Sequence, residues 1–171
     1  RVNSDLVGKY VNIASRAATF VTRHFEGRLA FSDDERRRLV ESAVGAATIA
    51  VERYQARQFS QVVREVMAIA DRVNEAFDEA KPWLLAKDPS RRDELHRVCS
   101  DCIVGFRNLS VFLAPILPAT TRKAADFLGL GRPLAWADLD ADLSRIGHYE
   151  HLMTRIDPKQ IDALLAPESA P

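Results

Sequence analysis

Apolar residues recur at spacings of three and four along almost the whole chain, and no stretch alternates as a half-buried strand would. The first stripe, Leu6, Val7, Tyr10, Ile13, Ala14, Ala17, Phe20 and Val21, predicts a helix over about residues 4–26. Gly27 is placed to end it as a left-handed glycine. Ser32-Asp33-Asp34-Glu35 reads as a capping box, hydroxyl and carboxylate answering the free amides of a helix start. The helix it opens carries Leu39, Val40, Ala43, Ala46, Ala47 and Ala50 to about residue 56, and its small side chains permit close helix–helix approach. A third helix is predicted over 60–80, with Val63, Val66, Met67, Ala70, Val73, Asn74 and Phe77 on one side; Pro82 forbids its continuation.

Ser90 predicts the cap of a fourth helix, with Asp93 and Glu94 in the first turn where the helix dipole favours acids. That helix ends before Pro115, and Pro118 suits the first position of a fifth, which stops near Gly129 and Gly131. Residues 132–154 are less regular, Asp157-Pro158 opens a last short helix through Leu165, and Pro167 to Pro171 reads as a linker. The pattern predicts an all-α antiparallel helical bundle: one domain over 1–166 and a linker-like tail over 167–171.

Composition narrows the function classes. The 171 residues are 47% hydrophobic, enough for one real core, and no apolar run reaches the length of a membrane span. Formal charge is zero, which argues against a non-specific polyanion binder yet leaves room for a reader of a few exposed bases. Charge is uneven: residues 1–30 hold five Lys and Arg against two acids. The two cysteines, Cys99 and Cys102, are too few for a disulfide framework and fit a reducing compartment. The chain starts at Arg1 and enters a helix almost at once, with no secretory leader, so it is expected to be an internal piece of a longer protein.

On the polar side of the first helix, Lys9, Asn12, Arg16, Thr19 and Arg23 follow one another by three or four and share a stripe. Asn offers a donor and an acceptor together, and Arg a planar fork that also stacks, so the two one turn apart suit a nucleobase edge. By pattern alone the commoner reading of such a stripe is a solvated helix face. Lys81-Pro82-Trp83 is the second feature. A loop Trp beside Lys81 and Lys87 would serve as a stacking platform for an unpaired base; a Trp plugging the end of the bundle is the commoner alternative.

The stretch Val11-Asn12-Ile13-Ala14-Ser15-Arg16, preceded by Asp5-Leu6-Val7, resembles the opening helix of the anticodon-binding domain in methionyl-tRNA synthetases. Phe59 to Ala70 with Ala80-Lys81-Pro82-Trp83 resembles the same domain's third helix and the following loop. Phe106-Arg107, Leu113 to Pro118 and Arg155-Ile156-Asp157 continue the likeness in order. The resemblance implies a helical bundle of the class I synthetase anticodon-binding type. It implies that Trp83 stacks on the flipped wobble cytosine of a CAU anticodon and that Pro82 sets its angle. Asn12 and Arg16 would bind the base edge or nearby backbone, with Lys9 on the same stripe. Relatives often carry another amide one turn before the Asn; here Gly8 stands there and offers no side chain.

The same likeness implies a cytoplasmic parent enzyme that ligates methionine to tRNA(Met) with ATP, and admits a homodimer. Its catalytic half would hold the ATP, magnesium and zinc sites and pack against this fragment, which would itself have no catalytic residues, cofactor or membrane contact. The related domains of the synthetases for cysteine, isoleucine, valine or leucine, and a helical protein-interaction module, are the alternatives.

Other motifs point less far. Cys99 and Cys102 with His96 fall short of four tetrahedral ligands, as do His148 and His151. Ile146-Gly147-His148 lacks the first His and the strand of a synthetase nucleotide signature. No phosphate loop, dinucleotide fingerprint, nucleophile elbow or HExxH is present. Arg36-Arg37-Arg38 follows Asp33, Asp34 and Glu35 and reads as a solvated charge run.

Overall fold

In the computed structural model, which describes residues 2–31, 33–157 and 159, the chain is a helical bundle with no strand among those residues. Its helices are α1 (Asn12–Phe25), α2 (Asp33–Gln55), α3 (Phe59–Ala80), α4 (Pro82–Leu85), α5 (Arg92–Leu113) and α6 (Pro118–Phe127). No helix of the described residues is long and apolar enough to cross a membrane. The predicted capping box, the final helix and the tail lie outside the described residues.

Helix α5 is the axis of the bundle. Its Leu95, Cys99, Ile103, Phe106, Leu109 and Leu113 are all buried, so it is apolar nearly all round, as a central helix must be. Helix α1 lies antiparallel to it: Tyr10 stacks on Phe106 at 5.0 Å, and Phe25 on His96 at 3.8 Å. Ala14, Ala17 and Ala18 are buried on the facing stripe, where small side chains let the two helices close. On the other side α3 meets α5 at Gly105, where an added Cβ would lie 3.0 Å from Val73. Tyr54 of α2 donates its hydroxyl proton to the Phe112 carbonyl (2.7 Å) and so ties α2 to the same axis.

Local details depart from the sequence reading in four places. The first helix is continuous from Val2, but Val2–Val11 is wound as a π-helix before α1 begins. Glu26 (φ 56°) joins Gly27 (φ 80°) in the left-handed region; Gly27 is required there because a Cβ would sit 2.9 Å from the Ile146 carbonyl oxygen, whose own N–H donates to the Gly27 carbonyl. Trp83 does not stand in a loop: Pro82 starts the one-turn helix α4 after Lys81 turns the chain with φ 49°. Ser90 does not cap the long helix α5: Asp88 caps a short 3-10 turn, Pro89–Arg91, that leads into it, accepting from the Ser90 amide and hydroxyl, and α5 itself starts without a side-chain cap.

The irregular stretch after α6 packs back onto α5. Arg107 is buried and donates to the Leu139 and Ala141 carbonyls at 2.7 and 2.8 Å. Arg132 grips the Asp138 carboxylate with both guanidinium nitrogens, and the Ala135 amide donates to the same carboxylate. Trp136 is thereby set against Tyr54 and Phe112.

Candidate nucleic-acid interface

Helices α1 and α3 run side by side in the same direction, so the polar stripe of the first meets a matching stripe on the second. Lys9 Nζ pairs with Asp71 at 2.8 Å, and Asn74 donates to the Lys9 carbonyl at 3.3 Å. About two turns further on, the Arg16 guanidinium pairs with Asp78 and lies over the Phe77 ring, 4.6 Å from its centroid. Phe77 is buried, and Phe20 supports it from α1 at 6.2 Å. The guanidinium is thus held on one side by a carboxylate and on another by a ring face, which fixes its plane.

Asn12 sits between these two ion pairs, half-buried, and its side-chain amide makes no hydrogen bond among the described residues. Thr19 and Arg23 continue the stripe, both exposed. The Thr19 hydroxyl bonds back to the Ser15 carbonyl (2.9 Å). The stripe is therefore one face, as its spacing predicts, but its cations are already partnered where they meet α3.

Trp83 follows the last turn of α3, the turn that carries Phe77 and Asp78. Pro82 and Leu85 are buried and anchor α4, so Trp83 is left 42% exposed. It makes no ring or cation–π contact with Arg16 among the described residues; the two are gathered at one end of the bundle rather than joined. Lys81 and Lys87 flank the turn and are exposed. Asp71, Asn74 and Asp78 are the residues that pattern reading missed as partners. Their spacing of three and four on α3 was the available signal.

Electrostatics follow from these contacts. The hydrogen bond that Lys9 donates to the Asp71 carboxylate holds its ammonium above its ordinary pKa. Burial pushes the Cys99 thiol up to about 12, and Cys102 higher still, so neither is a ready thiolate. His96 spends Nε2 on the Arg28 carbonyl at 2.8 Å. Among the described residues, no three His, Cys, Asp or Glu side chains gather as metal ligands.

A groove of about 620 Å³ lies between α2, α3 and α5, lined by apolar residues including Ile49, Ile69, Val73 and Val98. Phe77, whose ring lies under Arg16, forms part of its wall.

No protein-family model matches the chain. It is 47% identical, across 99% of its length, to a methionine–tRNA ligase of Polaromonas sp., and spans 25% of that protein. Its fold is shared with the methionyl-tRNA synthetase of Mycobacterium tuberculosis. The free form superposes with a TM-score of 0.80 over 92% of this chain and 34% of the other, at 19% identity. The complex with methionyl-adenylate gives 0.78 over 91% and 32%, again at 19% identity.

Proposed function

Because this chain is homologous over nearly its whole length to one segment of the methionyl-tRNA synthetases, we propose that it is their anticodon-binding domain and holds the CAU loop of tRNA(Met). The observation that carries the reading is an oriented surface at one end of the bundle: Trp83 exposed on an anchored turn that follows the last turn of α3, where Asp78 and Phe77 fix the Arg16 fork. An exposed indole beside flanking lysines offers a flipped base a π-face worth about 1–3 kcal/mol. The Asn12 amide, without a hydrogen bond among the described residues, offers a donor and an acceptor to a base edge. Lys9, Lys81 and Lys87 lie where backbone phosphates would follow.

In this reading the parent enzyme joins methionine to tRNA(Met) using ATP in the cytoplasm, and its catalytic half holds the metal and nucleotide sites. This segment supplies specificity. Alone it binds weakly, since phosphate contacts dominate affinity and most would come from other domains. Titrating the chain with a CAU stem-loop while following tryptophan emission tests the reading. Stacking on Trp83 should quench part of the signal, and the quench should vanish in Trp83→Phe. An emission unchanged by saturating stem-loop favours the alternative of a protein-interaction module.

A further inference from the structure

We infer that Leu84 is a second base-contacting residue, so that α4 engages two adjacent unpaired bases rather than one. This rests on the anticodon reading and deepens it. Within this one turn the alternation is sharp: Pro82 and Leu85 are buried, while Trp83 and Leu84 are 42% and 49% exposed. The two anchors are sufficient to hold the turn, and its backbone closes on itself through the Leu84 N–H to the Lys81 carbonyl at 2.7 Å. Leu85 is the apolar anchor of the turn, and Leu84 keeps half of its surface open to solvent.

Successive helical residues point about 100° apart, so Trp83 and Leu84 form two sides of one wedge. The turn stands at an angle because Lys81 holds φ 49°, a strained conformation for a side chain of that size. Exposed Lys81 and Lys87 flank the wedge, and their positive charge suits the phosphates on either side of a splayed dinucleotide. A base on the indole leaves its neighbour without a stacking partner, and an aliphatic face is the nearest apolar surface. Leucine has no donor or acceptor, so this contact supplies affinity and unstacking, not discrimination between bases.

The test places 2-aminopurine at each anticodon position of a stem-loop in turn and titrates the chain into each. A purine moved from its stacked neighbours onto an aliphatic side chain brightens, whereas one on an indole stays quenched. One position, next to the one read by Trp83, should brighten on binding. In Leu84→Asn that brightening should be lost and affinity should fall about fivefold, the scale of a partly buried leucine. The ratio of CAU to other anticodons should stay unchanged. Brightening at no position, or Leu84→Asn binding like the parent while Trp83→Ala binds weakly, overturns the inference and leaves the anticodon reading standing. If Trp83→Ala also binds like the parent, the anticodon reading itself falls, and this inference with it.

Discussion

The Arg16 guanidinium is bound to the Asp78 carboxylate and rests on the Phe77 ring. One residue that would read RNA is thus already paired with an acid from the neighbouring helix. Asp78 is more than half exposed, so the pair adds little to stability. Its effect is on aim and charge: the fork is fixed in plane, and the carboxylate offsets part of its attraction for phosphate.

Asp78→Asn should therefore loosen both. Binding of any stem-loop should strengthen, because a carboxylate near the RNA backbone is gone. The salt slope should steepen by about one contact. Preference for CAU should narrow, since Arg16 is no longer held in one orientation. Titrations at two salt concentrations with CAU and a second anticodon measure all three.

Gly105→Ala should destabilise the bundle. The new Cβ would meet two methyl groups of Val73 at 3.0 and 3.2 Å, where α3 packs on α5. Overpacking of this kind costs about 1–3 kcal/mol. Adding Val73→Ala should recover part of it, and denaturant unfolding of the double-mutant cycle gives the coupling.

Asp138→Ala should loosen the segment after α6 without touching the RNA end. The buried carboxylate takes two bonds from Arg132 and one from the Ala135 amide, and sits near the buried Arg107. Its donors, Arg132 and the Ala135 amide, are exposed and turn to water, so the loss is that of the bonds themselves, about 0.5–1.5 kcal/mol. Thermal unfolding should shift down while stem-loop affinity of the folded chain is unchanged.

Stability should also fall in alkali. Burial raises the Cys99 thiol from 9.0 to about 12, so below pH 9 both folded and unfolded states are protonated and the contribution is complete. Between pH 9 and 12 the unfolded state gives up a proton that the folded state keeps, which favours unfolding by about 1.4 kcal/mol per pH unit. Cys99→Ala should make that limb less steep, with buried Cys102, Tyr10 and Tyr54, whose pKa values burial also raises, supplying the rest.

Much of this architecture is written in local pattern. The four long helices follow from three-and-four spacing, and Pro82, Pro118 and Gly27 mark boundaries because their backbone chemistry leaves few options. What escaped the pattern is what depends on partners. The π-winding of Val2–Val11 leaves the same apolar stripe in the sequence. Trp83 reads as a loop residue because Pro82 ends one helix, yet the same proline begins the next turn. Ser90 looks like the cap, but Asp88 has the reach to accept both of its protons. Asp71 and Asp78 look like surface acids on α3 until α1 is laid beside it. The likeness to the synthetases named Asn12, Arg16 and Trp83; only the packing of α1 on α3 gave Arg16 its carboxylate and its ring.

The central claim is that this end of the bundle reads an anticodon through Trp83 and Arg16. Calorimetric titration of CAU stem-loop into the chain, Trp83→Ala and Arg16→Ala tests it most directly. Trp83→Ala should cost about 1–3 kcal/mol of binding, with Arg16→Ala also weaker and less selective for CAU. Both variants binding CAU and other loops as the parent chain does would contradict it.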